Sequence, residues 1–100
     1  MFEVREAESL LGTSKLEFGD PPMGIAHGKF IPLEKSLNNL NEKTLRVFCR
    51  ESLQEVKCSS VFIEIIEELQ EMEITIVVES NEVYEKYFAH HSKTYEEQFG

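Results

Sequence analysis

The chain has 100 residues, 41% of them apolar, and a formal net charge of −9. That length fits one domain spanning residues 1–100, and that apolar content supplies one modest core rather than a disordered chain. No stretch is long and apolar enough to span a membrane, and an acidic balance disfavours nucleic acid, whose phosphates call for clustered Lys and Arg. The start, Met1-Phe2-Glu3-Val4-Arg5-Glu6, has neither the basic nor the apolar segment of an export signal, so a cytoplasmic location is expected.

In chain order, Met1–Arg5 reads as a short strand with Phe2 and Val4 on one face. Ser9-Leu10-Leu11-Gly12-Thr13-Ser14 is rich in turn residues and is expected to end it. Lys15-Leu16-Glu17-Phe18 alternates polar and apolar, the two-residue period of a half-buried strand. Gly19-Asp20-Pro21-Pro22-Met23-Gly24 is a break, since two prolines fix φ and remove two donors. Ile25–Leu33 reads as a strand in which Gly28 marks a bulge or a close backbone approach, and Pro32 an end or an edge. Glu34–Lys43 is polar and reads equally as a short helix or a loop.

Thr44–Arg50 alternates again, with Leu45, Val47 and Cys49 on one face, and Leu53–Lys57 is expected to return as its hairpin partner. Val61–Met72 satisfies a helical stripe and a β-rich run alike. A strand over Ser60–Ile66 is preferred, followed by a turn or helical piece over Glu67–Met72. Glu73–Glu79 is the clearest strand and suits the middle of a sheet. Ser80-Asn81 offers a cap for a helix over Glu82–Phe88 with Val83, Tyr84, Tyr87 and Phe88 on one stripe. His90-His91 is expected to break or end that helix, with one more turn over Thr94–Gln98. The sum is an α+β domain: a mainly antiparallel β-sheet with a C-terminal helix packed on one face.

No catalytic signature is present, and the chain is read as a non-enzyme. Cys49 and Cys58 flank the expected hairpin, but a reducing compartment favours two free thiols over a disulfide. These two with His90 and His91 make a set of zinc ligands on paper only, because no CxxC pair exists and adjacent histidines point apart, so no metal or cofactor is expected. Neither cysteine opens a helix behind a glycine-rich turn, so pairing one with His27 as nucleophile and base has no local support. The stiff Gly19–Pro32 stretch reads either as a platform presenting Met23 and His27 to a partner or as a plain connection between strands. Asp20-Pro21-Pro22-Met23-Gly24 with Phe30-Ile31-Pro32, and Tyr84-Glu85-Lys86-Tyr87-Phe88 with His91 and Tyr95, resemble stretches of small bacterial proteins, a likeness that implies no activity.

The charge carries the functional expectation. Residues 1–50 hold seven basic and seven acidic side chains, so the whole excess lies in residues 51–100. Glu64, Glu67, Glu68, Glu71, Glu73, Glu79, Glu82 and Glu85 follow one another with no basic residue between them. Such a block steers basic partners, although it also serves plain solubility. The expected function is therefore a small acidic binding protein that neutralises a basic partner, as an immunity protein or toxin inhibitor does, with those eight glutamates as its contact residues. The alternatives are a structural or oligomerisation module, through an exposed sheet edge, and an enzyme whose pocket would be lined by His27 with Cys or Glu.

Overall fold

The computed structural model describes residues 1–6, 9–33 and 44–99, the last by its backbone only. The expected helix or loop over Glu34–Lys43 therefore lies outside the described residues. Eight strands form one antiparallel sheet: β1 (Phe2–Glu6), β2 (Ser9–Ser14), β3 (Phe18–Asp20), β4 (Ile25–Pro32), β5 (Leu45–Cys49), β6 (Gln54–Val56), β7 (Cys58–Ile66) and β8 (Glu71–Val78). A 3-10 turn over Pro21–Met23 precedes β4, and helix α1 (Asn81–Phe99) follows β8. The order across the sheet is β6-β5-β1-β2-β4-β8-β7, with β3 also beside β4. The expected α+β class is what forms.

The two edge strands are consecutive in the chain. Lys57 alone separates β6 from β7. Laid flat, six strand spacings of about 4.8 Å would hold those edges about 29 Å apart, while two peptide steps reach only about 7 Å. The sheet must curl back on itself. Its concave side holds the core: Val4, Ala26, Phe30, Val47, Val56, Ile74 and Ile76 are fully or almost fully buried. Alternation explains the choice: Ile74, Ile76 and Val78 point inward from β8, and Thr75 and Val77 point outward. Val47 opposes both Val4 and Val56 across neighbouring strands, which places three β-branched side chains in one inward row.

Two expectations are corrected on the N-terminal side. Ser9–Ser14 is strand β2, paired with β1 on one side and β4 on the other. Its turn-type residues are there for space: a Cβ on Gly12 would collide with the Ile31 carbonyl and meet the Phe30 ring at 2.6 Å. Lys15–Phe18 is not a regular strand. β2 and β3 run along the same edge of β4, with Ser14 opposite Phe30 and Phe18 opposite His27, so one residue is extra between them. Leu16 takes up the slack at φ 46° and turns into the core with 1% exposure, while Phe18 faces out. Gly28 sits opposite this bulge, where a Cβ would lie 3.0 Å from the Leu16 Cα. The close approach expected at Gly28 is real, and the extra residue belongs to its partner strand.

Helix α1 is capped as expected: the Val83 amide donates to the Ser80 hydroxyl at 3.3 Å. Tyr84 and Phe88 are buried, Phe88 lies 5.2 Å from Phe2 centroid to centroid, and the Tyr84 hydroxyl donates to the Ile25 carbonyl at 3.0 Å. The histidine pair does not end the helix. It continues to Phe99, with a break in helical geometry at Phe88 (φ −129°, ψ 27°) that re-aims the second half.

Candidate functional site

The eight glutamates do not share one surface. β8 runs straight between them, so Glu73 and Glu79 are separated by about 20 Å of strand. Glu64, Glu67, Glu68, Glu71 and Glu73 gather around the turn joining β7 to β8. Glu79, Glu82 and Glu85 lie beyond the other end of β8, at the start of α1, where an acidic first turn suits the helix dipole.

Within the first group, two acids have partners and three do not. Glu73 Oε1 lies 2.9 Å from His27 Nδ1, and Glu71 Oε1 lies 3.4 Å from Lys29 Nζ. Glu64, Glu67 and Glu68 are exposed and form no ion pair among the described residues. Glu64 stands directly opposite Glu73 in the β7–β8 pairing. A like-charge pair at that position costs stability, while on the other side of Glu73 His27 is its partner and Lys29 stands directly opposite it on β4. Exposed apolar side chains lie near these acids: Phe62 at 50% on the same face of β7 as Glu64, Ile65 at 64% on the other face, and Leu69 at 64% in the turn. Next to them an open groove of about 630 Å³ is lined by Phe30, Ile31, Pro32, Ile65 and Met72, with Gln70 and the Lys29–Glu71 pair among its polar groups. Sequence reading found the acids as a block but not this apolar company, because Ile65 and Phe62 read equally well as core.

His27 sits on the outer face of β4. Phe18 stacks on its ring, 5.4 Å between centroids and 27° apart in plane. A shallow cleft of about 180 Å³ beside it takes in Glu17, Lys29, Glu71 and Glu73. A second, of about 440 Å³, runs from His27 to His90, His91 and Tyr95 on α1. The chain's three histidines therefore line one cleft, a convergence that spacings of 63 and 1 residues do not signal. Among the described residues, no three His, Cys, Asp or Glu side chains come together in a way that could hold a metal ion. Met23 is exposed on the 3-10 turn.

Neither cysteine reaches these clefts. Both are free thiols. Cys58 donates to the Val56 carbonyl at 3.2 Å; burial first, then the Glu55 and Glu79 charges, push its thiol up to about 12. It stays protonated and is no nucleophile. Cys49 lies 3.4 Å from a Glu51 carboxylate oxygen.

A different electrostatic arrangement occupies the outer face of β1 and β5. Glu3 accepts from Arg5 at 2.8 Å and from Arg50 at 3.1 Å, and these two guanidinium groups hold its carboxyl below the usual range. Arg46 faces Arg5 across the strand pair, and the Arg5 guanidinium lies 5.9 Å from the Phe48 ring centroid. Here, in the half of the sequence whose charges cancel, basic side chains outnumber the acid they hold. No described helix is long and apolar enough to cross a membrane. Comparison with protein-family models, with curated proteins and with solved structures finds no match to this chain.

Proposed function

We propose that this protein binds and neutralises a basic protein partner through the end of the β7–β8 hairpin. One observation carries the reading. Glu64 opposes Glu73 and has no ion pair of its own among the described residues, and the unpaired acids continue through Glu67 and Glu68 beside exposed Phe62, Ile65 and Leu69. Charge that the fold does not need, placed around apolar side chains, is the composition of a surface steered by electrostatics and held by burial. Glu82 lies in the first turn of the helix, Glu85 accepts from Ser92 at 2.8 Å, and Glu79 precedes the cap, so these three lie outside this surface.

The experiment measures affinity for the basic proteins encoded by the reading frames that flank this one, across a salt series from 50 to 300 mM. A tight complex whose affinity falls steeply with salt supports the reading, and affinity indifferent to salt overturns the steering. The triple variant E64K/E67K/E68K is expected to weaken the complex at least tenfold. E79K/E82K/E85K is expected to change it less than threefold, which assigns the contact to the hairpin end. Sedimentation of the protein alone at high concentration tests the structural-module alternative, for which self-association is required.

A further inference from the structure

Two surfaces of this molecule are complementary to each other. The β7–β8 turn is closed by two backbone bonds, from the Leu69 amide to the Ile66 carbonyl and from the Gln70 amide to the Glu67 carbonyl, both 3.2 Å. Glu67, Glu68, Leu69 and Gln70 all stand exposed on it, close in sequence to exposed Glu64. The turn thus offers an apolar side chain among acids that have no ion pair among the described residues.

The outer face of β1 and β5 has the same make-up with the sign reversed. Arg46 is exposed, stands directly opposite Arg5, and forms no ion pair among the described residues. Phe48 lies between Arg46 and Arg50 on that face, half-buried, with the Arg5 guanidinium 5.9 Å from its ring centroid. Two acids stand here as well. Glu3 is held by both Arg5 and Arg50, and Glu55, opposite Phe48, has Lys57 at 3.4 Å. The face keeps a positive excess, and Arg46 is its guanidinium without a carboxylate. Among the described residues no ion pair joins the hairpin acids to these arginines within one molecule. Each surface lacks the counter-charge that the other carries, and a second copy of the chain supplies it.

We propose that the hairpin end of one copy docks on the β1–β5 face of a second, with Glu64, Glu67 and Glu68 around Arg46 and Leu69 against Phe48. The contact joins unlike surfaces, so it is heterologous and leaves one of each free for further copies. All of the −9 excess lies in residues 51–100, so an acidic half approaches a neutral one. The copies still repel at a distance. In about 0.15 M salt, where the Debye length is about 8 Å, that distant repulsion is screened more than the attraction between touching charges. Raising salt to about 0.5 M weakens the contact charges too. The association is therefore weak, concentration-dependent and strongest at moderate salt. No basic partner takes part in it, so it stands apart from the neutralising role.

The test is backbone amide NMR on the full chain, with R46E and E64K/E67K/E68K as variants. Both change exposed side chains that have no ion pair among the described residues, and the spectrum of each at high dilution checks its fold. In the natural chain, amides of residues 46–50 and 64–70 are expected to shift with concentration in about 0.15 M salt, and at least threefold less in about 0.5 M. In either variant alone the shifts are expected to vanish. Mixing the variants restores one intact contact. Labelled R46E with the unlabelled triple variant is expected to shift at 64–70 alone, and the reverse labelling at 3–5 and 46–50 alone. Absence of concentration-dependent shifts in the natural chain, shifts that persist in R46E, or a mixture without this paired pattern overturns the proposal. Self-pairing through a sheet edge is indifferent to R46E and so gives the second of these outcomes. R46E is expected to bind a basic partner as the natural chain does, which tells failure of this contact from failure of the neutralising role.

Discussion

Gly19 shows how a single missing side chain organises one end of the molecule. The Tyr84 hydroxyl and the His91 ring both occupy the space a Cβ would take. G19A is expected to cost about 1–3 kcal/mol through overpacking, seen as a fall in melting temperature of about 4–8 °C per kcal/mol for a domain of this size. The two cysteines give a chemical counterpart. With the half-buried Cys58 thiol pushed up to about 12, iodoacetamide on the native protein at pH 8 is expected to modify Cys49 first; peptide mass mapping over time reads the order. Glu3 gives a pH signature. Its carboxyl is held low by Arg5 and then by Arg50, so its contribution is present above the unfolded value of about 4.3 and is lost as pH falls through the folded one. E3Q is therefore expected to be less stable than the natural chain at pH 7, with the difference shrinking below pH 4 in acid-titrated melting curves.

At the scale of elements, what the sequence made legible follows from how locally each element is determined. β4, β5 and β8 alternate because one face of each is buried, and that period is written in Ile74, Ile76 and Val78 or Leu45 and Val47. The strand chosen over Ser60–Ile66 forms as part of β7, and Glu67–Gln70 is a turn, with Gln70 at φ 53°. β2 was not legible. Its Ser, Gly and Thr residues resemble a turn, and only the two flanking strands, one of them 18 residues later, show that small residues are needed there. The alternation of Leu16 and Phe18 misleads for a related reason: a bulge inverts one of them, and its cause, Gly28, lies on another strand. The helix tail was missed because a histidine pair has no intrinsic helix-breaking geometry, and His91 has a tertiary partner in Leu16. The acids were legible as a block but not as two groups, since the strand that separates them is itself inside the block. Tyr84 ties helix to sheet through the Ile25 carbonyl. Y84F leaves that carbonyl without its donor, and a loss of about 1 kcal/mol is expected in denaturant unfolding, with little change in m-value.

For the whole molecule, charge and fold are set against each other at one place. E64K replaces a repelling neighbour of Glu73 by an attracting one, so it is expected to stabilise the protein by about 0.2–1 kcal/mol while weakening partner binding. Urea midpoints and affinities measured on the same preparation check both signs together, and a stabilised variant with undiminished affinity would remove Glu64 from the interface. Both signs together would make position 64 one where the proposed contact and the stability of the fold ask for opposite charges.

The seam closed by Lys57 has a consequence in time. β1 leaves the ribosome before the other seven described strands, yet it belongs to the interior of the sheet, and one of its two neighbours is β5. Some 40 residues separate the two, which at about 5–20 residues per second is a wait of about 2–8 s. β4 likewise waits for β8, and the curl cannot close until β7 and β8 have both emerged. Through most of synthesis the nascent chain offers Phe2, Val4 and Phe30 on strands with an open flank, the surface that pairs with other chains. Folding of the finished chain inherits the same order, since pairings so distant in sequence form slowly. The open flanks of β1 and β4 thus persist until β5 and β8 have been made, which makes synthesis the interval in which these strands are exposed to wrong pairing.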